Sequence, residues 1–96
     1  MLEFIAEVYF FKENSGAMPG DGWPGMMPSF NMDGELIASK ILCDGPLAKE
    51  QWHEVIMQLP YGDRFEDIKG ILKNNYEFKL NFGGKVFGKG IIKYID

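Results

Sequence analysis

Four glycines fall within eight residues of the run FKLNFGGKVFGKGIIKYI, residues 78–95: Gly83, Gly84, Gly88 and Gly90. Around them stand aromatic and β-branched residues and lysines, so the chain reads as strand from Tyr76 onward. Gly83-Gly84 can supply the positive φ of a two-residue hairpin turn. An unbulged hairpin about that turn pairs Leu80 with Phe87 and Phe78 with Lys89. The second pair sets an apolar ring against a charge, which predicts a bulge or bend near Gly88 or Gly90. The same glycines fit no phosphate-cradling template. A P-loop runs into a helix through Gly-Lys-Ser/Thr and a dinucleotide fingerprint into a helix after its third glycine, whereas Gly88-Lys89-Gly90 runs into the strand IIKYI.

The rest of the chain is punctuated in the same way. EFIAEVYFF (3–11) alternates, with Phe4, Ala6, Val8 and Phe10 on one face and Glu3, Ile5, Glu7 and Tyr9 on the other, a half-buried first strand. Residues 12–29 form a long loop rich in Gly and Pro, held down by Trp23, Met26 and Met27 or carrying function. Residues 28–42 read as strand, Asp33-Gly34 turn, strand. Residues 44–60 are ambiguous. Trp52, Val55, Ile56 and Leu59 have helical spacing, while Val55, Met57 and Leu59 also alternate on one face of a strand. Phe65, Ile68 and Leu72 suit a helix, but Gly70 in its middle costs about 1 kcal/mol. PYGD (60–63) and Asn74-Asn75 are turn candidates. These features predict one all-β domain over 1–96, a small antiparallel barrel or sandwich, with one helical turn between 46 and 58.

Composition excludes several classes of function. At 46% hydrophobic and 15% aromatic the chain is not disordered. No apolar run approaches the ~20 residues of a membrane helix, and the alternating start, with Glu3 and Glu7 and no basic leader, reads as a strand rather than a signal peptide. One cysteine, Cys43, cannot form a disulfide within the chain, which points to a reducing cytoplasm. One Cys and one His make a structural zinc site implausible, and no cofactor motif is present. Residues 1–68 hold twelve acids and four bases; residues 69–93 hold six lysines and one acid, Glu77. A net charge of −4 argues against a dedicated binder of bulk nucleic acid and suits a protein that meets another protein.

The catalytic inventory is thin. His53 has no triad-like neighbour in QWHEV. Cys43 precedes Asp44, an acid that raises rather than lowers a thiol pKa. Asp63, Glu66 and Asp67 are read as a solvated turn or face. No enzymatic activity is expected. Lys79, Lys85, Lys89 and Lys93 carry the clearest hint from composition. In a simple extended run Lys85, Lys89 and Lys93 share parity, so they can form a basic stripe with Phe82 and Phe87 as stacking surfaces. They can equally be lysines that blunt the outer side of a barrel strand.

The framework residues resemble those of a known family. Phe78, Leu80, Gly83, Gly84, Lys85, Gly88, Gly90, Ile91, Ile92 and Ile95 keep the spacing of the last hairpin of the third, C-terminal β-barrel domain of bacterial elongation factor Tu, Phe-Ala-Ile-Arg-Glu-Gly-Gly-Arg-Thr-Val-Gly-Ala-Gly-Val-Val-x-x-Ile. AEVYFFKENSG resembles that family's first strand. GMMPSF (25–30) is similar to its Gly-Tyr-Arg-Pro-Gln-Phe, and LPYGD (59–63) to its Met-Pro-Gly-Asp turn. The likeness is carried by the two ends of the chain and is weak from 35 to 76. It implies a six-stranded barrel. In that family the barrel packs on a GTPase domain, contacts the T-arm of aminoacyl-tRNA and helps bind the exchange factor.

The departures bear on function. Met27, Asn81, Phe82 and Lys85 stand where the family has Arg, Arg, Glu and Arg. Loss of these arginines counts against tRNA binding, since Met or Asn cannot replace a bidentate phosphate contact. With no GTPase domain before the barrel, GTP hydrolysis is not expected. The expected role is a stand-alone protein-binding module, immunity- or antitoxin-like or a competitor for ligands of the elongation factor. Its expected contacts are an exposed patch of Trp23, Met26, Met27 and Trp52. The rival expectation is binding of a tRNA arm through Lys79, Gly83, Lys85, Lys89 and Lys93.

Overall fold

The computed structural model describes residues 1–13, 16–62 and 68–95. Seven strands and one helical turn follow one another: β1 (Leu2–Phe10), β2 (Ser29–Met32), β3 (Glu35–Ala38), β4 (Lys40–Leu42), β5 (Trp52–Leu59), α1 (Ile68–Ile71), β6 (Glu77–Phe82) and β7 (Lys85–Ile95). They form one antiparallel sheet in the order β3-β2-β6-β7-β1-β5-β4, curled into an open half-barrel. The inner face carries a single apolar core that includes Phe4, Val8, Phe10, Phe30, Met57 and Phe87.

The alternation of β1 is realised as read. Phe4, Ala6, Val8 and Phe10 are buried and Glu3 and Ile5 exposed, since successive side chains point to opposite faces. Asp33 and Gly34 both take positive φ, 50° and 97°, and join Met32 to Glu35 in a two-residue hairpin. The Asn31 side-chain oxygen accepts from the Gly34 N–H at 2.7 Å, which ties the turn to its own strand. Asn75 likewise takes a positive φ of 72° in the turn before β6.

Two expectations are corrected. The helical turn placed between 46 and 58 is absent: residues 52–59 are strand β5, with Val55, Met57 and Leu59 facing the core. The pairing of β5 with β1, from Leu2↔Leu59 to Tyr9↔Trp52, favours the alternating pattern over the helical one. The helical turn lies instead at Ile68–Ile71, with Ile68 and Leu72 buried. The strand number is seven where six were expected. The difference arises at Ser39, the one residue between β3 and β4. These two consecutive strands are the opposite edges of the sheet. Ser39 is buried, and its hydroxyl donates to the Pro28 carbonyl at 2.6 Å.

The β6–β7 hairpin contains the expected bulge. Leu80 pairs with Gly88 and Asn81 with Val86, so Phe87 is the extra residue. Phe78 therefore faces Gly90, not Lys89. Gly83 has positive φ (58°), as the first central position of a two-residue turn can require. The long loop after β1 covers the free edge of β4. Gly25 N–H donates to Ile41 O at 2.7 Å, and Ile41 N–H donates to Met26 O at 2.9 Å. An edge strand dressed in this way offers no open ladder at Ile41.

Candidate functional site

The register fixes which side chains stand side by side on the outer face. Cross-strand partners point the same way, so the pairings can be followed from strand to strand. One row runs Lys79, Lys89, Tyr9, Trp52 across β6, β7, β1 and β5. The next runs Glu77, Ile91, Glu7, Glu54 across the same strands. A third runs Tyr94, Ile5, Ile56, Leu42 across β7, β1, β5 and β4. The outer face is thus banded: basic and aromatic, then acidic, then apolar.

The first band is a preformed cluster. The rings of Tyr9 and Trp52 lie 5.4 Å apart, centroid to centroid. The Lys89 ammonium sits over both, 5.4 Å from the Tyr9 centroid and 5.5 Å from that of Trp52. Cation–π attraction at exposed sites is worth about 0.5–1 kcal/mol, enough to bias the lysine toward the rings. Trp52 remains 49% exposed. Lys79 and Lys89 are direct cross-strand neighbours, a like-charge pair that the sheet itself does not favour. Beside them is a concavity of about 470 Å³, whose wall includes Trp52, both lysines, Asp33 and Glu77.

The third band exposes apolar surface. Tyr94 is 56% exposed, and Ile5 and Ile56 are also exposed, though they lie on central strands of the sheet. A shallower concavity of about 380 Å³ borders them, lined in part by Leu42, Cys43 and Glu54. Between the bands, Lys93 meets Glu7 at 3.5 Å. Both partners are solvated, so the pair adds little to stability.

The candidates from sequence sort differently from the way they were grouped. Trp52, Lys79 and Lys89 come together on the outer face. Trp23 does not join them. It is 48% exposed and stacks on Phe82 (6.3 Å, 14°), which stacks on Phe87 (4.3 Å, 5°), which stacks on Phe10 (5.6 Å, 23°). This column runs from the surface into the core. Met27 is 72% exposed but Met26 only 1%, because the backbone bonds to Ile41 hold the loop against β4 and turn Met26 inward. Met26 is therefore a core residue and not part of an exposed patch.

The lysine stripe is also broken. The bulge at Phe87 inserts one residue between Lys85 and Lys89 and reverses their relation. Lys85 is opposite Phe82, whose ring belongs to the core-side column, while Lys89 is opposite Lys79 on the outer face. Lys93 is the unpaired residue of a second irregularity, where Ile5 faces Tyr94 and Ala6 faces Ile92. Gly83 lies at the hairpin tip beside Lys85, away from the Lys79–Lys89 pair. Sequence reasoning did not single out Tyr9, Ile5 and Ile56. Their signal was present: Ile5 and Tyr9 occupy the polar parity of β1.

His53 Nε2 lies 2.8 Å from the Ala48 carbonyl. A carbonyl only accepts, so that nitrogen carries the proton. Cys43 Sγ contacts the Gly45 carbonyl at 3.3 Å. Among the described residues no group of three or more His, Cys, Asp and Glu is placed to hold a metal ion. Asp63, Glu66 and Asp67 lie outside the described residues. No helix in the described residues is long and apolar enough to cross a membrane. The Tyr76 hydroxyl is buried without a hydrogen bond of good geometry. Burial first, and then the nearby Asp33 carboxylate, raise its pKa above the usual tyrosine value. Compared with known proteins, the chain matches no family model and no curated sequence.

Proposed function

We propose that the chain is a non-catalytic protein-binding module that acts through the outer face of β7, β1 and β5. The observation that carries this reading is the row Tyr94, Ile5, Ile56 and Leu42, apolar surface set on the solvent side of the sheet beside an aromatic–basic cluster. Single exposed apolar residues are ordinary, but a contiguous patch rimmed by charge marks a contact surface. Tyr and Trp give such surfaces large buried area at low entropic cost.

The same reading places the chain among barrels of the elongation factor Tu third-domain type. Its support lies in the framework. Gly83 turns the last hairpin, and Gly88 and Gly90 pass so close to Phe10 and Phe78 that no Cβ fits. Counting β3 and β4 as one strand bent at Ser39 gives six strands, with that bent strand spanning both edges. A small acidic binder in the cytoplasm suits an immunity- or antitoxin-like role, or competition for ligands of the elongation factor.

The tRNA-arm reading is favoured by one feature, the Lys79–Lys89 pair beside Trp52, where a base could stack. Against it stand Asp33 and Glu77 on the same concavity, and the loss of Lys85 from the row. A phosphate backbone gains most from several cations held together.

The test is affinity capture from native cytoplasm, with wild-type chain and an Ile5→Glu/Ile56→Glu variant as parallel baits. A protein retained by the first and lost by the second is the expected result. Equal recovery by both baits would refute the face. A tRNA gel shift at low salt that is abolished by Lys79→Gln/Lys89→Gln would favour the alternative.

A further inference from the structure

The bands on the outer face have an order, and that order is self-complementary. Beyond the basic–aromatic row lies one more outer row. Its members are Val86, opposite Asn81 on β6, and Phe11, whose ring contacts Tyr9 at 6.1 Å. Over four successive rows from the hairpin end the face therefore reads apolar (Phe11, Val86), basic (Lys79, Lys89), acidic (Glu77, Glu7, Glu54, with Lys93 meeting Glu7), apolar (Ile5, Ile56, Tyr94); beyond them lies a polar row of Glu3, Gln58 and Lys40. Adjacent rows are about 7 Å apart, two residues along a strand.

Reversing this series and laying it on itself sets basic on acidic, acidic on basic, and each apolar end on the other. A two-fold axis that lies in the interface, midway between the charged rows, performs this operation. An isologous dimer requires such a patch, one that complements its own image. We infer that the outer face of β6, β7, β1 and β5 binds a second copy of this chain through a two-fold axis between the lysine row and the glutamate row. The inference rests on the outer face being a protein-binding surface, and it names the partner.

The position of Lys89 supports the match. Its ammonium leans off β7 over Tyr9 and Trp52, toward β1 and β5. In the dimer that position faces the second copy's Glu7 and Glu54, which stand one row further along those strands. The like-charge contact between Lys79 and Lys89 is relieved when carboxylates approach from outside. The curl of the sheet confines contact to β6, β7, β1 and β5. The dimer is therefore weak, and it depends on protein concentration and on salt.

The test is sedimentation equilibrium over a range of concentration and ionic strength, on three chains whose folding is checked by circular dichroism. Wild type is expected to dimerise at high concentration and to dissociate as salt rises. Lys79→Glu/Lys89→Glu makes both charged rows acidic, and Glu77→Lys/Glu7→Lys/Glu54→Lys makes both basic. Each variant alone is expected to lose about tenfold or more in self-association, because like charge then faces like charge. Mixed together, they are expected to form a heterodimer, since both contacts are again between opposite charges. A wild type that stays monomeric at low salt overturns the inference, as does a mixture that fails to associate. Neither result touches the capture experiment above, which decides the binding-module reading separately.

Discussion

Gly90 and Phe78 face each other across β6 and β7, and the ring of Phe78 fills the space where a side chain at 90 would begin. A Cβ there would lie 2.6 Å from Phe78 Cε2 and 3.0 Å from the Glu7 carbonyl oxygen. One obstacle is a core ring already packed against Phe30 at 4.5 Å; the other is backbone of β1. Neither is the free end of a flexible side chain.

Gly90→Ala is therefore expected to destabilise the fold by about 1–3 kcal/mol, the range for forcing an extra group into a packed core. Gly84 is the internal control. A Cβ at that position meets nothing within 4 Å, and its φ is not in the left-handed region. Gly84→Ala is expected to stay within about 0.5 kcal/mol of wild type. Urea denaturation of both variants checks the contrast. Equal midpoints would mean that Gly90 is not held by contact with Phe78.

Met26 and Met27 are adjacent in sequence and opposite in environment. Met26 belongs to the core, while Met27 is in solvent. Met26→Ala is expected to cost about 2–5 kcal/mol, the usual range for removing a buried methionine. Met27→Ala is expected to fall within about 0.5 kcal/mol of wild type. Thermal melts of the two variants separate the core role from the surface role.

The fold was legible where a local pattern had a single solution. The alternation of β1, the Asp33-Gly34 turn and the glycine hairpin each follow from residue types and spacing. β5 was not legible, because Trp52, Val55, Ile56 and Leu59 fit one period and Val55, Met57 and Leu59 another. The choice between them was made by pairing with β1, a contact some fifty residues distant in sequence. The lysine stripe failed for a related reason. A bulge adds one residue and reverses parity, and its position depends on how Phe87 packs against Phe10 and Phe82. The outer-face bands are properties of register between strands, so no single strand displays them.

Tyr76 makes the stability of the fold depend on alkaline pH. Its hydroxyl is buried with no hydrogen bond of good geometry, and its pKa in the folded chain is raised first by burial and then by the charge of Asp33 and its interaction with the hydroxyl. An acid whose folded pKa exceeds its unfolded value binds its proton more tightly in the native state. Its contribution to stability is complete below the unfolded value, about 10 for tyrosine. It is lost as pH rises through that value toward the folded one. Stability measured by urea denaturation is thus expected to fall above about pH 10, and Tyr76→Phe is expected to reduce that fall. At neutral pH the same substitution is expected to be neutral or mildly stabilising, because it removes a buried hydroxyl that makes no well-formed hydrogen bond. A clear loss of stability at pH 7 in Tyr76→Phe would show that the hydroxyl has a partner after all.

Ser39 is the single residue between the two edges of the sheet, and its hydroxyl is the joint. It is buried and donates to the Pro28 carbonyl, the last residue before β2, at 2.6 Å. Ala38 beside it pairs with Ser29, and Lys40 on its other side pairs with Gln58 of β5. Ser39→Ala leaves the Pro28 carbonyl buried without this donor, at a cost of about 1–3 kcal/mol. Ser39→Thr keeps the hydroxyl but adds a methyl group at the bend. It is expected to recover part of the loss, because the hydrogen bond survives while the packing is tighter. Hydrogen exchange separates a joint from a mere local contact. If Ser39 couples the edges, amides of both β3 and β4 exchange faster in Ser39→Ala while those of β1 and β7 do not. Faster exchange in β3 alone would confine the role of Ser39 to the β2–β3 hairpin.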